Sequence, residues 1–136
     1  MYGSTSRVEE PNRQTARWVL EAYRAGASGV VPWQTINKDG SALRQADTLG
    51  LFIFENRGGG PAAIHHAMRL KAYREAEQTI EYLELVRRGL GLTPGQRRAF
   101  VDHYVGGEKG TSAEAWRALR EAAAELIESR QAVPGR

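Results

Sequence analysis

Residues 58–88 read GGGPAAIHHAMRLKAYREAEQTIEYLELVRR. The three glycines end whatever precedes them, and Pro61 suits the first position of a helix, where its missing N–H has no partner to lose. From Ala62 onward there is no Gly or Pro until Gly89. Ile64, Met68, Ala72, Ala76, Ile80 and Leu83 recur at helical spacing, and Leu70, Tyr73 and Val86 widen that stripe. Arg69, Lys71, Arg74, Glu75, Glu77, Glu81, Glu84 and Arg88 fall on the opposite face. Lys71–Glu75 and Glu84–Arg88 stand four apart, where side chains of opposite charge meet. The pattern predicts one amphipathic helix of roughly 27 residues, about 40 Å long.

Downstream, Gly89 to Gly91 breaks the helix. Thr93 and Pro94 start another, with Phe100, Val101 and Tyr104 turned inward. Gly106 to Gly110 reads as a loop. Ser112 caps a last helix that carries Trp116, Leu119, Ala123, Leu126 and Ile127 on one face and ends near Ala132, before Pro134. The Trp116 stripe reads as core or partner contact. Upstream, Leu49 to Phe54 has the apolar, aromatic character of a buried strand. Glu55 to Gly60 is a loop, Asn37-Lys38-Asp39-Gly40 a turn, and Ser41 to Thr48 a loop or helical turn. Before these lies NRQTARWVLEAYRA, residues 12–25, a helix with Asn12 as its cap, Ala16, Val19, Leu20 and Tyr23 buried, Trp18 at the margin and Gly26 as its stop. Val30, Val31 and Trp33 to Ile36 then form a short strand, and Pro32, which has no N–H to give a ladder, places it at an edge or marks its end. The first ten residues read as polar and irregular.

At 136 residues the chain fits one domain. Hydrophobic residues make 41% of it and charged ones 26%, a balance that can build a core and excludes a disordered chain. The net charge is +3, but residues 1–59 hold seven basic and six acidic side chains and residues 60–136 twelve and ten. Both signs are interleaved, so no basic stripe tracks a phosphate backbone and no nucleic-acid partner is expected. There is no cysteine, hence no disulfide framework and no thiolate metal site or nucleophile. No apolar run approaches the roughly 20 residues of a membrane span, and MYGSTSRVEEPNRQ has neither the basic start nor the apolar core of a secretory signal, so no membrane partner is expected and a cytoplasmic setting is the default. His65 and His66 are adjacent and His103 is isolated; on a helix the first two point about 100° apart and cannot share one metal. Gly58-Gly59-Gly60 lacks the Gly-Lys-Ser/Thr sequel of a phosphate loop and reads as a flexible entry loop. No cofactor and no metal are expected.

Part of the long helix carries a resemblance. RLKAYREAEQTIEYLEL, residues 69–85, resembles the signature helix near the C-terminal end of bacterial glycoside-hydrolase-like proteins related to glycoside hydrolase family 123. Arg69, Leu70 and Lys71 match its Arg-Leu-(Lys or Glu) start, Arg74 its basic turn, and Glu81, Tyr82 and Leu83 its acidic-Tyr-Leu end. Ala76 stands where that group usually has Gly and Thr79 where it has Asp; both changes favour a regular helix. NRQTARWVLEAYRAGASGVVPWQTI, residues 12–36, is similar to the last helix and last strand of the (β/α)8 barrel in the same group, where the strand ends in a Trp near the sugar site. The similarity spans roughly residues 10–92.

The resemblance implies that Trp33 lines a sugar cleft, its indole stacking on the apolar face of a pyranose, with Gln34 beside it able to donate to and accept from a hydroxyl. A core or lid Trp beside the long helix and a solvated Gln are the competing readings. Hydrolysis of a glycosidic bond needs two carboxyl groups, or one plus a substrate acetamido group. Asp39, Asp47 and Glu55 form no telling pair, and the resemblance places the catalytic acids on earlier barrel strands, so no residue is assigned a catalytic role.

The expected fold is therefore mostly α with a minor β component: the terminal α/β step of a (β/α)8-like barrel over residues 1–59, then a helical tail of three helices over residues 60–136. The expected function is that of a non-catalytic C-terminal portion of a carbohydrate-active protein, partnered by carbohydrate and by the rest of the barrel or a second copy. The alternative is a small helical interaction or oligomerisation module without enzymatic activity.

Overall fold

Four helices carry most of the described residues. In the computed structural model, residues 2–3, 11–32, 51–55, 63–107 and 112–131 are described. In chain order they form β1 (Tyr2–Gly3), α1 (Asn12–Arg24), β2 (Val31–Pro32), β3 (Phe52–Glu55), β4 (Ala63–His66), α2 (Met68–Leu90), α3 (Pro94–Val105) and α4 (Ala113–Gln131). The protein is thus mostly α with a minor β component, as its periodicity predicts.

The central helix α2 starts later than expected. Residues 63–66 are not its first turn but a strand, antiparallel to β3 with Phe52 opposite His66 and Glu55 opposite Ala63. The Ala67 N–H extends this ladder by donating to the Leu51 carbonyl at 3.0 Å. The cause is a long-range pairing that helical periodicity cannot register. Ile64 satisfies a helix stripe in the sequence yet stands on a strand and is 64% exposed. Met68 at the helix start is 61% exposed. The buried stripe of α2 instead runs through Arg69, Tyr73, Ala76, Thr79, Leu83 and Val86. Arg69, expected on the polar face, is only 2% exposed. A guanidinium on a three-carbon stem can fill space in a helix interface that its charge would argue against. At Thr79 the hydroxyl donates to the Glu75 carbonyl one turn back at 2.9 Å, which lets a polar residue sit fully buried.

Helix ends follow local chemistry. α1 terminates with Gly26 at φ +89°: the Gly26 N–H donates to the Tyr23 carbonyl and the Ala27 N–H to the Ala22 carbonyl, both at 2.9 Å. The same pair of hydrogen bonds recurs after α2, which passes through Gly89 and closes at Gly91 with φ +62°: the Gly91 N–H donates to the Arg88 carbonyl at 3.4 Å and the Leu92 N–H to the Arg87 carbonyl at 2.9 Å. Only a residue without Cβ reaches these backbone angles without strain. At the other end of α1 the expectation fails: Asn12 is the first helical residue, Pro11 takes the cap position, and no side chain caps it. Thr93 and Gln96 form a reciprocal capping box on α3. Ser112 Oγ accepts the Ala115 N–H at 3.0 Å before α4.

Within the N-terminal part, β1 runs parallel to β2, with Tyr2 opposite Val31 and Gly3 opposite Pro32. The polar N-terminus expected to be irregular thus contributes a strand, and β1–α1–β2 is a parallel βαβ unit. Parallel neighbours need such a crossover. The expected strand over residues 30–36 is seen at Val31–Pro32; its remainder, Trp33 to Ile36, lies outside the described residues, as do the expected turn at residues 37–40 and the segment 41–48.

α1 packs along α2, α2 against α4, and α3 on α4. Two apolar clusters result. One joins Leu20 and Tyr23 of α1, Leu83 and Val86 of α2, Val101 and Val105 of α3, and Leu119 and Ala123 of α4. The other joins Ala16 and Val19 to Leu51, Tyr73 and Ala76. Ile80 and Trp116 pack against both. The Trp116 stripe packs against the core, the first of the two readings, core or partner contact, that its spacing allows.

Candidate functional site

Trp33 and Gln34, the residues singled out for sugar contact, lie outside the described residues. They follow Pro32, the last residue of β2, and so continue the chain from the carboxyl end of a parallel strand. In α/β folds that is the end where ligands bind, because loops leaving the strands converge there. Val31, just before them, is 61% exposed, so the sheet leaves apolar surface uncovered at this strand. Of the candidate carboxylates, Asp39 and Asp47 lie outside the described residues, and Glu55 is the last residue of β3.

His65 and His66 stand on β4, where consecutive side chains point to opposite faces, in place of the 100° offset of a helix. His66 meets the Phe52 ring edge-on at 5.7 Å. His103 packs edge-on against Tyr104 at 4.8 Å. Among the described residues no group of three or more His, Cys, Asp or Glu is arranged to hold a metal ion. No described helix is long and apolar enough to cross a membrane.

The described helices do assemble a site that linear charge interleaving concealed. A groove of about 350 Å³ opens between the starts of α1, α2 and α4. Arg13 of α1, Lys71 of α2, and Arg117 and Arg120 of α4 line it together with Glu75. The Arg120 guanidinium donates to Glu75 Oε1 at 2.8 Å. Ala16, Ala72 and Trp116 give the groove an apolar floor. Arg117 and Arg120 each stand four residues after another lining residue, Ala113 and Trp116 respectively, near one face of a helix; that spacing is the signal in the sequence that points here. Arg13 and Lys71 join them only through the packing of α1 and α4 on α2.

A second polar cluster ties α1, α2 and α3 together. The Tyr23 hydroxyl donates to Glu84 Oε1 and the Arg87 Nε to Glu84 Oε2, each at 2.8 Å. The Arg97 guanidinium lies 4.6 Å from the centre of the Tyr23 ring. Arg24 pairs with Asp102, and Arg98 approaches the same carboxylate at 3.7 Å. Burial opposes ionisation of Glu84, but the hydrogen bonds from Arg87 and Tyr23 and the charges of Arg87 and Arg88 outweigh it, holding its carboxyl below the ordinary range. Burial first, and then the bond to Glu84, pushes the Tyr23 phenol well above its ordinary value. Both Glu84 oxygens accept from the chain and Asp102 is held in ion pairs with Arg24 and Arg98, so the cluster reads as a clasp between helices rather than a reactive centre.

Compared with known protein families, curated proteins and solved structures, the chain matches none.

Proposed function

We propose that this chain is a non-catalytic C-terminal portion of a carbohydrate-active, glycoside-hydrolase-like protein, in which Trp33 and Gln34 contribute to a sugar cleft. The observation that carries the reading is the parallel β1–α1–β2 unit, whose second strand leads directly into Trp33. A βαβ step is the repeating unit of a (β/α)8 barrel. A two-stranded parallel sheet is not a finished structure, since parallel strands are found almost always inside larger sheets covered on both faces. The exposed Val31 supports an edge that further strands would cover. The bundle of α2, α3 and α4 then follows the barrel step as a helical tail. No catalytic group is assigned within the chain.

The test is titration with a panel of neutral saccharides, followed by tryptophan emission, on the chain alone and on the chain joined behind a complementing barrel segment. Binding that is lost in Trp33→Ala while the thermal midpoint holds supports the reading. Absence of binding in both forms, or binding indifferent to Trp33→Ala, rejects it.

A second reading, a helical module that self-associates through α2, is favoured by Tyr82 and Leu85. They stand three apart on that helix and are both exposed. It requires a urea midpoint that rises with protein concentration; a concentration-independent midpoint excludes it.

A further inference from the structure

We propose that the groove between the starts of α1, α2 and α4 binds an anionic saccharide, one bearing carboxylate or sulfate groups. The choice of a saccharide among anions rests on the carbohydrate reading above; the groove itself supplies the charge and the aromatic surface. Four cationic side chains line it, Arg13, Lys71, Arg117 and Arg120, against one carboxylate among the described lining residues, Glu75. Glu75 is already matched by Arg120 at 2.8 Å. Arg117 also has the Glu114 carboxylate three residues before it on α4, so Arg13, Lys71 and Arg117 together still leave a net positive hollow, and field lines focus in a concave, low-dielectric space.

The kind of anion follows from the rest of the lining. Trp116 is held between both apolar clusters, which leaves a fixed aromatic surface at the groove. A pyranose offers such a surface its CH face, while its charged substituent meets a guanidinium whose paired donors match carboxylate and sulfate alike. The volume of about 350 Å³ is at the small end of ligand cavities, the scale of a mono- or disaccharide. A nucleic acid is disfavoured because acidic side chains alternate with basic ones over the rest of the chain.

None of these residues is Trp33 or Gln34, so the two sites fail separately. The experiment uses the full 136-residue chain. It is titrated calorimetrically, at low and at physiological salt, with a uronate disaccharide, a sulfated disaccharide, their neutral counterparts and a short single-stranded oligonucleotide. At least one charged sugar is expected to bind about tenfold or more tighter than its neutral counterpart, with affinity falling as salt rises. The two charged sugars separate carboxylate from sulfate as the recognised group. The double variant Lys71→Gln/Arg117→Gln is expected to weaken that binding about tenfold at an unchanged thermal midpoint, and Trp33→Ala to leave it intact. The proposal is overturned if neither charged sugar binds, if the neutral counterparts bind the Trp33→Ala variant as tightly as the charged sugars do, if the double variant binds the charged sugars as the wild type does, if Trp33→Ala abolishes charged-sugar binding, or if the oligonucleotide binds tighter than both charged sugars.

Discussion

Glu84 shows how one side chain can join three helices. It stands on α2, accepts from Tyr23 of α1 and Arg87 of its own helix, and lies 3.9 Å from Arg97 of α3. The neighbouring Arg88, four residues on, approaches at 3.8 Å, the pair expected from spacing alone. Because the folded protein holds the Glu84 carboxyl below its ordinary value, the folded state favours the ionised form. The stability it contributes is thus complete above the unfolded value of about 4.3 and is lost as pH falls through the lower folded value. Glu84→Gln is expected to lower stability by on the order of 1 kcal/mol at pH 7, with the gap to wild type closing as pH falls from about 5 to 3. Urea midpoints at both ends of that window check it. A gap of constant size would remove the carboxylate from the account. Arg69 makes the complementary point. Its charge places it on the outer face when the sequence is read by polarity, whereas the packed helix buries it.

At the level of elements, legibility depended on how local the deciding interaction is. The closing glycines Gly26 and Gly91, the Thr93–Gln96 box and the Ser112 cap are all settled within five residues, and each stands where local chemistry puts it. The start of α2 is settled by β3, whose first residue lies eleven positions before Ala63, and the apolar spacing of Ile64 and Met68 disguised that pairing. Likewise β1 exists only through its pairing with β2 across α1, which no feature of residues 1–10 announces. Local closure also gives a sharp prediction at Gly106, the residue that ends α3. A Cβ there would stand 2.5 Å from the Asp102 carbonyl oxygen, which already accepts the Gly106 N–H. Since that oxygen belongs to rigid helix backbone, Gly106→Ala must shift the end of α3 and is expected to cost about 1–3 kcal/mol. Thermal unfolding of the variant measures this; an unchanged midpoint would mean the helix end yields freely.

For the molecule as a whole, the helix bundle was readable because amphipathic stripes report burial directly, while the groove was not, because its charges reach one place from three helices. Interleaved signs along the chain do not prevent like charges from meeting in space, as Arg13, Lys71 and Arg117 do. The two apolar clusters raise the question of whether the chain unfolds as one body. Each spans α1 and α2, and Ile80 packs against both, so loss of either cluster exposes surface of the other. A single cooperative transition is the consequence, with helical circular dichroism and tryptophan emission coincident. Ile80→Ala is expected to lower stability by about 2–4 kcal/mol, through the lost methylenes and the cavity they leave. Because Ile80 is shared, the two probes should move down together. If they separate in the variant, Trp18 and the α1–α2 cluster beside it unfold apart from the α3–α4 end, and Ile80 is the contact that couples them.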